Sequence, residues 1–108
     1  MNIEKRRDQK GERETKIDSL SSIAEMIRSC NRCPLAKERT RAVPGEGPDG
    51  AEILLVGEAP GRDEDRAGRP FVGRAGSLLN CCLEEAGIER SRVFITNAVK
   101  CRPPNNRR

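Results

Sequence analysis

Apolar residues in this chain gather in four short clusters separated by charged and glycine-rich stretches. Leu20, Ile23, Ala24 and Ile27 recur at helical spacing, with Asp18 or Ser19 placed to cap the first turn. The pattern predicts a helix that ends before Cys30. Ile53-Leu54-Leu55-Val56 is a continuous apolar run, the mark of a strand buried on both faces in a parallel sheet. Ala75, Leu78, Leu79, Cys82, Leu83 and Ala86 form a second helical stripe, stopped by Gly87, in which Cys82 reads as core. Val93-Phe94-Ile95-Thr96 predicts a second buried strand. Residues 34–50 read as an irregular loop, and residues 57–73 as a long loop punctuated by glycine. Strand, loop, helix and strand in that order make one βαβ unit.

Composition keeps the expected core small. The chain has 108 residues, 34% hydrophobic and 35% charged, enough for at most one small domain. Phe71 and Phe94 are its only aromatic residues. Residues 1–18 carry six Lys/Arg and five Asp/Glu among few apolar positions and are expected to be a disordered charged tail, leaving 19–108 as the domain. A net charge of +4 permits a nucleic-acid partner without requiring one. Histidine is absent, which excludes a Ser-His-Asp triad and any histidine-containing zinc site within this chain. No apolar run approaches the roughly 18 residues of a membrane span, and the N-terminus lacks a secretory hydrophobic segment. Five cysteines without export signals point to a reducing, cytoplasmic setting. The phosphate-binding loop of nucleotide-triphosphate enzymes is missing too.

The candidate chemistry follows from the topology. Both strands of a βαβ unit end at the same sheet edge, and ligands bind beyond those carboxyl ends. Gly57-Glu58-Ala59-Pro60-Gly61 leaves the first strand there, and Asn97 leaves the second. Glycines let backbone approach a ligand, although each alone is equally a turn residue. Gly73 to Gly76 is expected to precede a helix whose N-terminus favours an anion. Phe71 either stacks on a planar base or packs beneath its loop. The Asn97 carboxamide matches the N3–H and O4 of uracil and mismatches cytosine; the competing reading is a turn or cap. Glu58, Asp63, Glu64 and Asp65 crowd the first loop. One carboxylate there can orient water or steady an oxocarbenium-like sugar, whereas Asp63 and Asp65 read as solvated. Cys30-Asn31-Arg32-Cys33 and Cys101 form an all-sulfur donor set open to zinc, a cluster or redox use.

Taken together, Cys30-x-x-Cys33, Gly57-Glu58-Ala59-Pro60-Gly61, Gly68-Arg69-Pro70-Phe71-Val72-Gly73 and the run from Asn97 to Arg107 resemble the iron–sulfur uracil-DNA glycosylases of family four. The resemblance spans about residues 20 to 108. It implies a three-layer α/β/α fold around a parallel sheet and removal of uracil from DNA in base-excision repair. It places Phe71 on the flipped uracil, Asn97 at its edge, and the backbone of Gly57, Ala59, Pro60 and Gly61 against the base. Glu58 or Glu64 would be the catalytic carboxylate, with Asn97 beside it. Cys30, Cys33 and Cys101 would be three ligands of a structural [4Fe-4S] cluster, zinc being the alternative. The family continues to a fourth cysteine and a His-Pro segment, so this chain is read as the N-terminal half of such a domain. The implied partner is uracil-containing DNA, and the full-length protein is expected to be a cytoplasmic monomer. A non-catalytic metal-bearing nucleic-acid module, or an inactive remnant, are the competing readings.

Overall fold

The structure is a computed structural model that describes residues 19–104. The charged tail expected over 1–18 lies outside the described residues. Helix α1, Leu20–Arg28, begins where Ser19 Oγ accepts the Ser22 N–H at 3.1 Å, and it stops before Cys30 as the apolar spacing predicts. A 3-10 turn, Pro34–Lys37, then interrupts the stretch expected to be wholly irregular. Proline at its first position has no N–H to leave unpaired, which favours this local start.

Strands β1 (Ile53–Gly57) and β2 (Val93–Asn97) form a parallel pair in the register Ile53↔Val93 to Gly57↔Asn97. The βαβ order and the parallel sheet are therefore as predicted. Helix α2, Arg62–Ala67, falls within the long loop expected over residues 57–73. Its Arg-Asp-Glu-Asp-Arg-Ala sequence has no apolar periodicity to announce it. It is held instead by its ends: Glu64 Oε1 accepts the Gly61 N–H at 3.0 Å, three acids sit in the first turn, and Gly68 closes the helix at a φ of +74°. Helix α3, Arg74–Glu85, links back to β2 through a 3-10 turn, Arg90–Arg92. Gly76 lies inside α3, so Gly73 alone caps it, contrary to the expectation that both precede the helix.

The core lies along β2. Val93, Ile95, Thr96 and Asn97 are buried, joined by Ala42, Val43, Leu83 and Cys101. Residues 42–46, part of the supposed loop, run beside β2: Glu46 and Ile95 exchange both backbone hydrogen bonds at 2.9 Å in an antiparallel bridge, and the Val43 N–H donates to Lys100 O at 2.8 Å. Two buried expectations fail. Ile53, Leu54 and Val56 of β1 are exposed at 39%, 62% and 56% and only Leu55 among its four apolar residues is half-buried, for β1 has no strand partner but β2 among the described residues. Cys82 is exposed as well, since only Gly76 and Leu83 of α3 are buried. No helix among the described residues is long and apolar enough to cross a membrane.

Candidate nucleobase-binding cleft

The first turn beyond the strands is stitched together by backbone. Ala98 N–H donates to Gly57 O, and Val99 N–H to Glu58 O, each at 2.9 Å, so the parallel ladder continues past both strand ends. An open cleft of about 600 Å³ lies there, lined by Glu58, Ala59, Pro60, Gly61, Glu64, Phe71 and Asn97 among others. All of these were singled out from sequence. Gly57, also singled out from sequence, lies behind this lining and not in it: a Cβ at this position would come within 2.5 Å of Asn97 Oδ1 and 2.6 Å of Phe71 Cζ. The ring and the carboxamide thus converge over one glycine, in space only a glycine leaves open. Lys100 holds the backbone beneath them, donating from Nζ to Thr96 Oγ1 at 2.7 Å and to Asn97 O; burial pushes its pKa down.

The acidic residues of the loop separate by environment. Both Glu64 oxygens face backbone donors: Oε1 takes the Gly61 N–H, while Oε2 takes those of Val72 and Gly73 at 3.0 and 2.9 Å. Burial alone pushes the Glu64 carboxyl up, but the amides of Gly73, Val72 and Gly61 outweigh it and hold it below its ordinary 4.5. The amide of Gly73, the N-cap of α3, is therefore taken by the protein's own carboxylate. Asp65 corrects a second expectation. It is buried, not solvated, and its Oδ1 accepts the N–H groups of Thr40 and Arg41 at 2.8 and 3.2 Å. Asp63 and Glu58 are exposed on the cleft lining.

Arg62 and Arg74, also on the lining, lie outside every motif read from sequence, and Arg102, within the run that begins at Asn97, was given no role of its own. Glu46, which was given none either, receives Arg69 as a fork at 2.9 Å from both Nε and Nη2; that contact first, and the charges of Arg69 and Arg90 with it, outweigh burial and lower the Glu46 pKa.

The cysteines sit apart from the cleft lining. Cys30 is half-buried, Cys33 exposed and Cys101 buried. Among the described residues no three His, Cys, Asp or Glu side chains stand close enough to hold one metal ion. The donor set nonetheless fits an all-thiolate group in kind. Arg39 joins the two segments that carry it: Nη1 donates to Cys101 Sγ and Nη2 to Arg28 O, two residues before Cys30, each at 3.1 Å.

The parallel strands of this α/β unit thus end on an open cleft lined by an aromatic ring and a carboxamide, at the sheet edge where open α/β sheets in general bind their ligands. The family model described as the Uracil DNA glycosylase superfamily matches residues 44–108, and the chain belongs to that superfamily. Its relatives include the Type-4 uracil-DNA glycosylases of Sulfurisphaera tokodaii, 61% identical over 92 residues, and Pyrobaculum aerophilum, 58% over 88. These matches cover 84% and 82% of this chain but 42% and 45% of the relatives. The Type-5 uracil-DNA glycosylase of Thermus thermophilus is 42% identical over 81 residues, 62% of this chain and 37% of that protein. The chain thus spans less than half the length of the curated relatives it matches.

Proposed function

We propose that this chain carries the base-recognition half of a uracil-DNA glycosylase that hydrolyses the N-glycosidic bond of deoxyuridine. The observation that supports this most directly is the convergence of Phe71 and Asn97 over Gly57. A base inside a duplex cannot reach such a cleft and must be extruded. The Phe71 ring then supplies a stacking surface, and the Asn97 carboxamide pairs with the uracil edge, where cytosine would leave two polar groups unmatched. Arg62 and Arg74 provide positive charge for the phosphates beside the extruded nucleotide.

Glu58 is the carboxylate assigned to the chemistry, because it lies exposed on the cleft lining directly after β1, while Glu64 serves the backbone amides of Gly61, Val72 and Gly73. In this step the bond from sugar C1′ to uracil N1 breaks, the base leaves with the electron pair, water adds to C1′, and the proton that the water gives up ends on the departed uracil anion. Glu58 orients that water and offsets the positive charge developing on the sugar. Cys30, Cys33 and Cys101 would hold a [4Fe-4S] cluster, or zinc, completed by a ligand outside the described residues. Bound there, the group would tie the Cys30 turn to the segment leading into the cleft. The full-length protein is expected to act on DNA in the cytoplasm as a monomer.

The test is affinity of the chain for single-stranded oligonucleotides carrying one deoxyuridine or one deoxycytidine, followed by assay for free uracil. Preferential binding of deoxyuridine, abolished by Asn97→Ala and weakened by Phe71→Ala, is the expected result. Equal affinity for both oligonucleotides would sink the reading. Preference without uracil release even from the longer protein would leave a binding module.

A further inference from the structure

Phe71 has a φ of +52°, the sole positive value at a non-glycine residue among those described. An aromatic residue in the left-handed region persists only where its surroundings hold it there. Arg90, at the start of the turn before β2, supplies one side of that hold. Its Nη2 donates to Pro70 O at 2.7 Å, and its Nη1 to Phe71 O at 2.9 Å and Asn80 Oδ1 at 2.8 Å. Glu64 supplies the other side through the Val72 and Gly73 amides. The two carbonyls at and before Phe71 are thus bound by a cation, and the two amides after it by an anion. Gly76 of α3 completes the seat: a Cβ there would stand 2.0 Å from Phe71 O, so the helix backbone presses against the turn.

We propose that Arg90 is a positioning residue whose guanidinium, opposed by the Glu64 carboxylate, sets the left-handed turn at Phe71 and so aims its ring over Gly57. This rests on the reading that Phe71 stacks on an extruded pyrimidine. The fork geometry is essential: a lysine ammonium is a point charge and cannot span two successive carbonyls and Asn80 in one plane. Arg90 lies outside the cleft lining, so its effect on a ligand there runs through the turn; its other charged neighbour, Glu46 at 3.7 Å, is also off the lining.

The test uses the full 108-residue chain with Arg90→Lys, Glu64→Gln, Phe71→Ala and the Arg90→Lys/Phe71→Ala pair. One readout is the NMR contact between the Phe71 ring and the Gly57 α-protons; the other is affinity for a single-stranded oligonucleotide carrying one deoxyuridine. Arg90→Lys is expected to lose the ring contact and to weaken binding by at least about fivefold, the lower end of a lost base–aromatic stack. In the Phe71→Ala background the same change should alter affinity by less than about twofold, because the effect runs through the ring. A ring contact that survives Arg90→Lys overturns the proposal, and so does a fivefold loss that persists without Phe71. Should Arg90→Lys not fold, Glu64→Gln gives the same readouts from the other side of the turn, and an undisturbed ring contact there is equally fatal. Unchanged binding by Phe71→Ala defeats only the stacking reading; the ring contact still decides the role of Arg90.

Discussion

Of the two strands of this sheet, the more apolar one is the more exposed. Val93 and Ile95 of β2 are 1% and 0% exposed, whereas Ile53, the register partner of Val93, and Leu54, the partner of Phe94, are 39% and 62% exposed. The difference lies in what flanks each strand. β2 is hydrogen-bonded on both edges, to β1 on one side and to Glu46 on the other, and residues 42–46 run along it. β1 pairs with β2 alone among the described residues. Apolar runs therefore announce that a strand can be buried; which strand is buried depends on segments whose own sequence looks like loop.

The contrast breaks hardest in the core. Ile95→Ala removes the most enclosed aliphatic side chain of β2 and should destabilise the chain by about 2–5 kcal/mol, read from denaturant unfolding. A loss below about 1 kcal/mol would mean that β2 is no better packed than its partner.

Legibility followed the same division. Helices α1 and α3 were readable from apolar residues at helical spacing and both strands from continuous apolar runs; topology brought Asn97 to the sheet edge, but Phe71 and Asn97 gained their roles only from the family that the motifs together resemble. What could not be read was held by polar contacts of long sequence separation. Asp65 looks solvated until Thr40 and Arg41, 25 and 24 residues away, donate to it. Helix α2 is built from its caps, and Arg90 reaches Phe71 across 19 residues. No periodicity encodes such pairs.

At their far ends the strands become alike again, for Gly57 and Asn97 are register partners at the sheet edge, where Asn97 lines the cleft. Gly57→Ala puts a methyl into space held by the Phe71 ring and the Asn97 amide, both side chains that can swing away. Stability should fall less than for Ile95→Ala, while deoxyuridine binding should weaken by about 1–3 kcal/mol, the worth of a stack. Calorimetric titration would check this; unaltered affinity would separate Gly57 from the function of the cleft.

Glu46 is the cover that β1 lacks, and it is sensitive to acid. Its carboxylate, lowered below the ordinary 4.5 first by the Arg69 fork, contributes stability that is present above that value and lost as pH falls through the depressed one. Glu64 behaves in the same direction. Melting temperature should therefore decline on acidification below about pH 4.5, and Glu46→Gln should flatten part of that decline while removing no more than about 1 kcal/mol at neutral pH, as expected of a partly exposed pair. A Gln variant with an acid profile parallel to that of the parent would show that backbone pairing, not charge, keeps residue 46 beside β2.

The smallest effect bears on the other strand. Leu54 is 62% exposed, so Leu54→Lys should change stability by no more than about 0.5 kcal/mol in the isolated chain, because little apolar surface leaves or enters water. Lysine on an open strand edge also discourages pairing between copies, so the variant should remain at least as soluble as the parent. Unfolding at several protein concentrations gives both readings together. If Leu54→Lys instead destabilised the chain as much as Ile95→Ala, and did so more strongly as concentration rose, β1 would be covered by another copy in solution. The contrast between the strands would then belong to the single chain and not to the protein as it stands in water.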